Sequence, residues 1–203
     1  MRAMRGSKLR SLGYTVVEVM MALAVLTLGA SGVIAMQKAT LVANTSARNL
    51  VTANGLAQTW MERMRIDALA WNEPAAVPDI NSDTIWLRNA VGTQPLGSGW
   101  VAPPANNVSG YPAGNPVADV MGSDINSGDG YGTGFCTQVR LTRFSSNPSL
   151  WALYRMIRVE VRVYWDQTGR QIDCTTALPT DYTLSRYGFV YVVSSVLENN
   201  SPL

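Results

Sequence analysis

The sequence predicts an α+β fold: a long amino-terminal α-helix packed on an antiparallel β-sheet of three or more strands. Three observations carry that expectation. Proline is absent from Met1 to Glu73, and Pro74 is the first of ten. Ala43, Ala47, Leu50, Asn54, Ala57, Met61, Met64 and Ala68 recur at alternating four- and three-residue steps, which places them on one helical face. In "RMIRVEVRVYWD" the period falls to two, with Ile157, Val159, Val161, Val163 and Trp165 facing one way and Arg158, Glu160, Arg162 and Tyr164 the other. A helix with an uncovered apolar stripe and a sheet with one apolar face cover each other.

Residues 1–13 form a basic leader in which Arg2, Arg5, Lys8 and Arg10 face no acidic residue. The formal charge of +2 therefore misleads: without the leader, twelve basic residues face fourteen acidic ones, a balance of −2. A global argument for nucleic-acid binding fails on that distribution. Residues 14–36 are the apolar half of the helix, and Val19 to Met36 is a chargeless run long enough for a candidate membrane span. The run exceeds an ordinary signal-peptide core, and no small-x-small cleavage site follows it cleanly. The basic flank stays cytoplasmic, which sends the remainder of the chain outward. Glu18, just inside the apolar run, either sits among headgroups or is functional, as intramembrane carboxylates commonly are.

Residues 37–70 are the amphipathic half, giving one helix from about Tyr14 to about Ala70, with Trp60 widening its apolar face. Asn54 and Gly55 interrupt that face. Residues 71–133 are a Pro/Gly-rich connection, with short strands expected near Thr84–Leu87 and Gly99–Ala102. Trp71, Trp86 and Trp100 are expected to pin it to a core. Residues 134–203 hold strands at about Gly134–Phe144, around Ile157–Trp165 and at Tyr187–Glu198, and the turn "DQTGR" fits a hairpin.

Cys136 and Cys174 both fall in the outward part, where cysteines pair far more often than in the cytosol. With no CxxC and no histidine, neither a metal nor a redox role is expected. "DINSGDGYGTG" offers Asp124, Asn126 and Asp129 as oxygen donors, but the glycine position is reversed and Phe135 stands where a calcium loop needs glutamate. A turn-rich entry to a strand is expected there, and no cofactor. Arg140, Arg143, Arg155, Arg158, Arg162 and Arg170 cluster on the polar strand faces. Without interleaved aromatic residues, Tyr164 excepted, the expectation is a solvated face offset by Glu160 and Asp166, not a nucleic-acid surface.

"GYTVVEVMMALAVLTLGASG" resembles the class III signal of type IV pilins and pseudopilins. In that family a basic leader ends in glycine, an aromatic residue follows, and a glutamate stands at the fifth mature position. Here these are Gly13, Tyr14 and Glu18. With "LGASGVIAMQ" and "NGLAQTWMERMR", the chain looks most like PilV-type minor pilins, and the motif-bearing match spans roughly the first third. Tyr14 replaces the commoner phenylalanine, and Val16–Val17 a leucine–isoleucine pair.

The resemblance implies a pilin-like fold, cleavage by a prepilin peptidase between Gly13 and Tyr14, and N-methylation of Tyr14. It implies an inner-membrane single pass with a periplasmic body, and later a place in a pilus, near the tip. The partners implied are other minor pilins, the major pilin, the peptidase, the inner-membrane assembly platform and a tip adhesin. Glu18 of an incoming subunit would meet its neighbour's amino terminus and set axial register. The competing physical reading is a carboxylate stabilising its own helix end. Gly29 and Gly32 would loosen the helix locally, allow close helix approach, or be simply tolerated. The reading is of a minor pilin in type IV pilus assembly, not an enzyme. A membrane-tethered adhesin or ligand-binding module and a minor pseudopilin of type II secretion stay open beside it.

Overall fold

The computed structural model describes residues 14–71, 80–90, 99–109, 113–125, 132–143, 156–174 and 186–197. The leader and Gly13, and likewise Asn126, Asp129, Phe144, Arg155 and Glu198, lie outside the described residues. The chain divides into two units, Met1–Thr45 and Ser46–Leu203.

The proline-free stretch forms one helix, α1, over Val16–Trp71. Among the described residues four strands follow: β1 (Val117–Ala118), β2 (Phe135–Arg143), β3 (Met156–Asp166) and β4 (Tyr187–Leu197). They make an antiparallel sheet in the order β1-β2-β3-β4. The predicted α+β fold is the observed one. Register puts Val139 opposite Val161 and Leu141 opposite Val159 on the inward face, continued on β4 by Val192 and Ser194.

Within the second unit, α1 buries Ala53, Leu56, Ala57, Trp60, Met61, Met64, Asp67, Ala68 and Trp71. These join the inward residues of β2 and β3 in one apolar cluster. The predicted stripe is thus only half correct. Ala57, Met61, Met64 and Ala68 are buried, whereas Ala43, Ala47, Leu50 and Asn54 are exposed. Helical period records which residues share a face; burial also needs an opposing element, and here burial begins at Ala53.

The connection is pinned as its tryptophans suggest. Trp71 and Trp86 are buried in the core, and Trp86 meets Trp60 edge-on at 5.6 Å between ring centroids. Thr84–Leu87 is not a strand. It runs from a four-residue helix, α2 (Ile80–Asp83), into a 3-10 turn at Leu87–Ala90, because its amides turn inward to a carboxylate of α1. At Gly99–Ala102 only Val101 pairs, exchanging hydrogen bonds of 3.0 and 2.8 Å with Val139 along the outer edge of β2.

The "DQTGR" turn forms, with the Gly169 N–H donating to the Asp166 carbonyl at 3.1 Å and Gly169 at φ 74°. It is not a tight hairpin, however. β3 and β4 pair directly, but the chain between them first passes through Cys174. Gly188 is required where it stands: a Cβ there would lie 2.3 Å from the Trp165 ring, which lies across β4 at that point.

Candidate functional site

In the first unit, Thr15 precedes the first helical residue and accepts the Glu18 N–H on both its carbonyl (3.1 Å) and its Oγ1 (3.3 Å). Thr15 is therefore the amino-terminal cap and Glu18 the third helical residue, half of a capping box. The threonine–x–x–glutamate spacing was legible in the sequence, yet attention to the carboxylate alone passed over Thr15. Tyr14, just ahead, is 80% exposed.

From Val16 to Met36 the polar side chains are Glu18, Thr27 and Ser31. Thr27 Oγ1 donates to the Ala24 carbonyl and Ser31 Oγ to the Leu28 carbonyl, each at 2.8 Å. Both hydroxyls are satisfied within the helix, as an apolar solvent demands. Among the described residues the Glu18 carboxylate has no such partner. The apolar side chains around it, Val16, Val17, Met20, Met21, Leu23, Val25, Leu26 and Leu28 among them, are all exposed. By length and composition α1 is able to cross a membrane, which fits a single-pass anchor.

In the second unit the two cysteines are joined. Cys136 and Cys174 form a disulfide with Cα atoms 5.4 Å apart. Around it pack Tyr164, Tyr187 and Phe189 on the sheet face opposite α1. Burial pushes the Tyr164 hydroxyl up to about 12.

That outer face corrects the expectation of a solvated arginine cluster. Trp100, from the connection, lies over it, with Arg162 and Arg140 guanidinium carbons 4.3 and 5.1 Å from its ring and Tyr191 edge-on at 5.7 Å. Glu160 is buried beneath, paired with Arg140 and, at 2.7 Å, with Arg158. Burial pushes the Glu160 carboxyl up, but hydrogen bonds from Arg140 and Tyr191 and both guanidinium charges hold it below its usual value. Asp166 does not offset this cluster: it accepts from Thr168 and pairs with Arg186 at 2.6 Å. Arg143 falls on the inward face beside Ile157 by register, and Arg170 lies in the turn after β3. The described arginines make no single patch, since among them only Arg140, Arg158 and Arg162 share this face.

Asp124, the described member of the calcium trio, is held by Arg63 at 2.5 Å and by the Asn115 N–H at 3.2 Å. Sequence reasoning missed Asp67. Fully buried on α1, it accepts the N–H groups of Ile85 (2.8 Å), Trp86 (2.9 Å) and Leu87 (2.8 Å). Burial raises its carboxyl against the pull of those three amides. The clamp fixes Trp86, whose Nε1 donates to the Pro104 carbonyl at 3.0 Å. Its signal was the spacing Trp60, Met64, Asp67, Trp71, which sets one carboxylate on a buried stripe.

Comparison of the chain with protein-family models, with curated proteins and with solved structures finds no match. What the geometry defines is an α+β body on a helix fit to anchor it in a membrane.

Proposed function

We propose that the chain is a type IV pilin-like subunit, a minor pilin that enters a pilus near its tip and helps to initiate assembly. In this reading a prepilin peptidase cuts between Gly13 and Tyr14 and methylates the new amino group. α1 then holds the body on the periplasmic side of the inner membrane. On transfer into the filament, Glu18 meets the amino terminus of a neighbouring subunit. Other minor pilins, the major pilin, a tip adhesin and the inner-membrane assembly platform are its partners, and its role is structural, not catalytic.

One observation carries the reading: among the described residues, Glu18 is the one side chain between Val16 and Met36 whose polar group has no hydrogen-bond partner. A carboxylate in an apolar helix calls for a cation, because burying it alone is heavily penalised. Cleavage at Gly13 creates a cation four residues from Glu18 in each subunit. The Thr15 cap supports the helix-end role of Glu18 as well, and the two roles are compatible.

Intact-mass measurement on protein from membranes and sheared filaments, with and without the peptidase, tests the proposal. The expected result is a peptidase-dependent species beginning at methylated Tyr14. An amino end at Met1 in both strains overturns it and leaves a tethered exported module. Glu18→Ala then discriminates further, since a tethered module tolerates the change and a pilin does not assemble. Recovery of the mature species only with a secretion system, never with pili, points to the pseudopilin reading.

A further inference from the structure

We propose that the cleft between the turn after β3 and the entry to β2 binds a small hydroxylated carboxylate, the size of one acidic sugar ring. With a volume of about 230 Å³, it lies where Asn49 of α1 and the run 132–135 meet that turn. Clefts that take drug-sized molecules hold roughly 300–1,000 Å³, so this one admits a single compact unit. Its walls are fixed from within. Asp166 Oδ1 accepts the Thr168 N–H (2.7 Å) and hydroxyl (2.6 Å), and Oδ2 pairs with Arg186 at 2.6 Å. The Gly134 N–H donates to the Ala118 carbonyl at 2.9 Å, and a Cβ on Gly134 would lie 2.8 Å from the Val120 backbone. Gly132 leaves room for the Gln171 carboxamide, which a Cβ there would meet at 2.6 Å. Phe135 and Trp165, ring centroids 5.9 Å apart, supply the apolar part of the lining.

Within this frame stand polar groups with nothing to hold. Among the described residues, Asn49, Thr133, Arg170 and Gln171 line the cleft and their side chains make no hydrogen bond or ion pair. Their chemistry specifies the ligand. Among the described residues Asp166 is the one carboxylate in the lining, and Arg186 and Thr168 already satisfy it, so the cleft offers no counter-charge to an ammonium group. Arg170 is the one lining cation among the described residues, and its guanidinium suits a carboxylate. Asp119, whose Oδ1 accepts the N–H groups of Met121 and Ser123, lies outside the lining, as do Asp173 and Arg48. The two carboxamides and the Thr133 hydroxyl both donate and accept, as the hydroxyls of a sugar do in return. The site stands apart from the assembly reading, since none of its lining falls between Tyr14 and Met36.

Saturation-transfer NMR on the full chain in detergent micelles tests the site. The probes are galacturonate, galactose (the same ring with a hydroxymethyl group for the carboxylate) and acetate (the carboxylate without the ring). Galacturonate is expected to bind saturably and at least about tenfold more tightly than either control. Arg170→Gln is expected to weaken galacturonate at least about tenfold, with the disulfide and the unfolding midpoint unchanged, and Gln171→Ala to weaken it less. Galacturonate binding no tighter than galactose or acetate, or equal in the unaltered chain and Arg170→Gln, overturns the site. Trigalacturonate separates the two sources of such a group. If it binds and Arg170→Gln abolishes that binding, the site stands and takes a polysaccharide unit. If it is excluded while galacturonate still binds, the site stands and takes the free acid.

Discussion

The two ends of α1 have the same secondary structure and opposite fates. Between Ala53 and Trp71 the helix buries nine residues against its own sheet and connection. Between Val16 and Met36 it buries none. The carboxyl-terminal stretch is completed by its own chain. The amino-terminal stretch satisfies its two hydroxyls within the helix and leaves its apolar surface for something outside to cover. The carboxylates repeat the contrast: Asp67 is buried and accepts from three amides, whereas Glu18 is exposed and has no partner among the described residues.

The largest test of that contrast is Trp60→Ala, which removes the ring at the centre of the covered end. It is expected to lower the stability of the body by about 3–5 kcal/mol in denaturant unfolding. Removing the disulfide by Cys136→Ser with Cys174→Ser is expected to cost about 3–4 kcal/mol, read in the same way. Asp67→Ala leaves three inward amides without an acceptor and is expected to cost roughly 2–4 kcal/mol, with faster amide exchange at Ile85, Trp86 and Leu87. At the other end, Leu26→Ser should move the unfolding midpoint of the body hardly at all. The contrast breaks if it destabilises the body as much as Trp60→Ala.

Acid sharpens the comparison of carboxylates within the body. Arg140 and Tyr191 at Glu160, and Thr168 and Arg186 at Asp166, outweigh burial and hold both groups below their unfolded values of 4.5 and 3.8. Their contribution is present above those values and is lost as pH falls through the lower folded-state ones. Asp67 is shifted the other way, so protonating it in the folded state relieves a burial cost instead of removing a stabilising charge. Asp166→Asn should therefore flatten the acid limb of a stability–pH curve, whereas Asp67→Asn should not.

Much of the fold was legible because it rests on local period: the long helix, the three long strands and their inward faces. What escaped depends on partners remote in sequence. Trp100 crosses the outer face onto Arg140, Arg162 and Tyr191, residues 40, 62 and 91 positions away. No periodicity announces such a contact. Thr84–Leu87 has strand composition but gives its amides to Asp67, and Ala43 to Asn54 has stripe spacing without a covering sheet. At the amino end, Glu18 was legible as an anomaly, a charge in an apolar run. The cap beside it is written in the same stretch, as the threonine–x–x–glutamate spacing of Thr15 and Glu18.

The disulfide has a consequence in lengths and forces. Cys136 and Cys174 enclose 38 residues of sequence separation, and all of β3 with most of β2 lies inside that ring. A chain pulled by its two ends must transmit tension across the sulfur bridge, bypassing those strands. Roughly 130 Å of polypeptide, at about 3.4 Å per extended residue, is withheld from the line of pull. The middle of the sheet is then slack under load: traction can peel away α1 or β4, but it cannot draw out the pair between them.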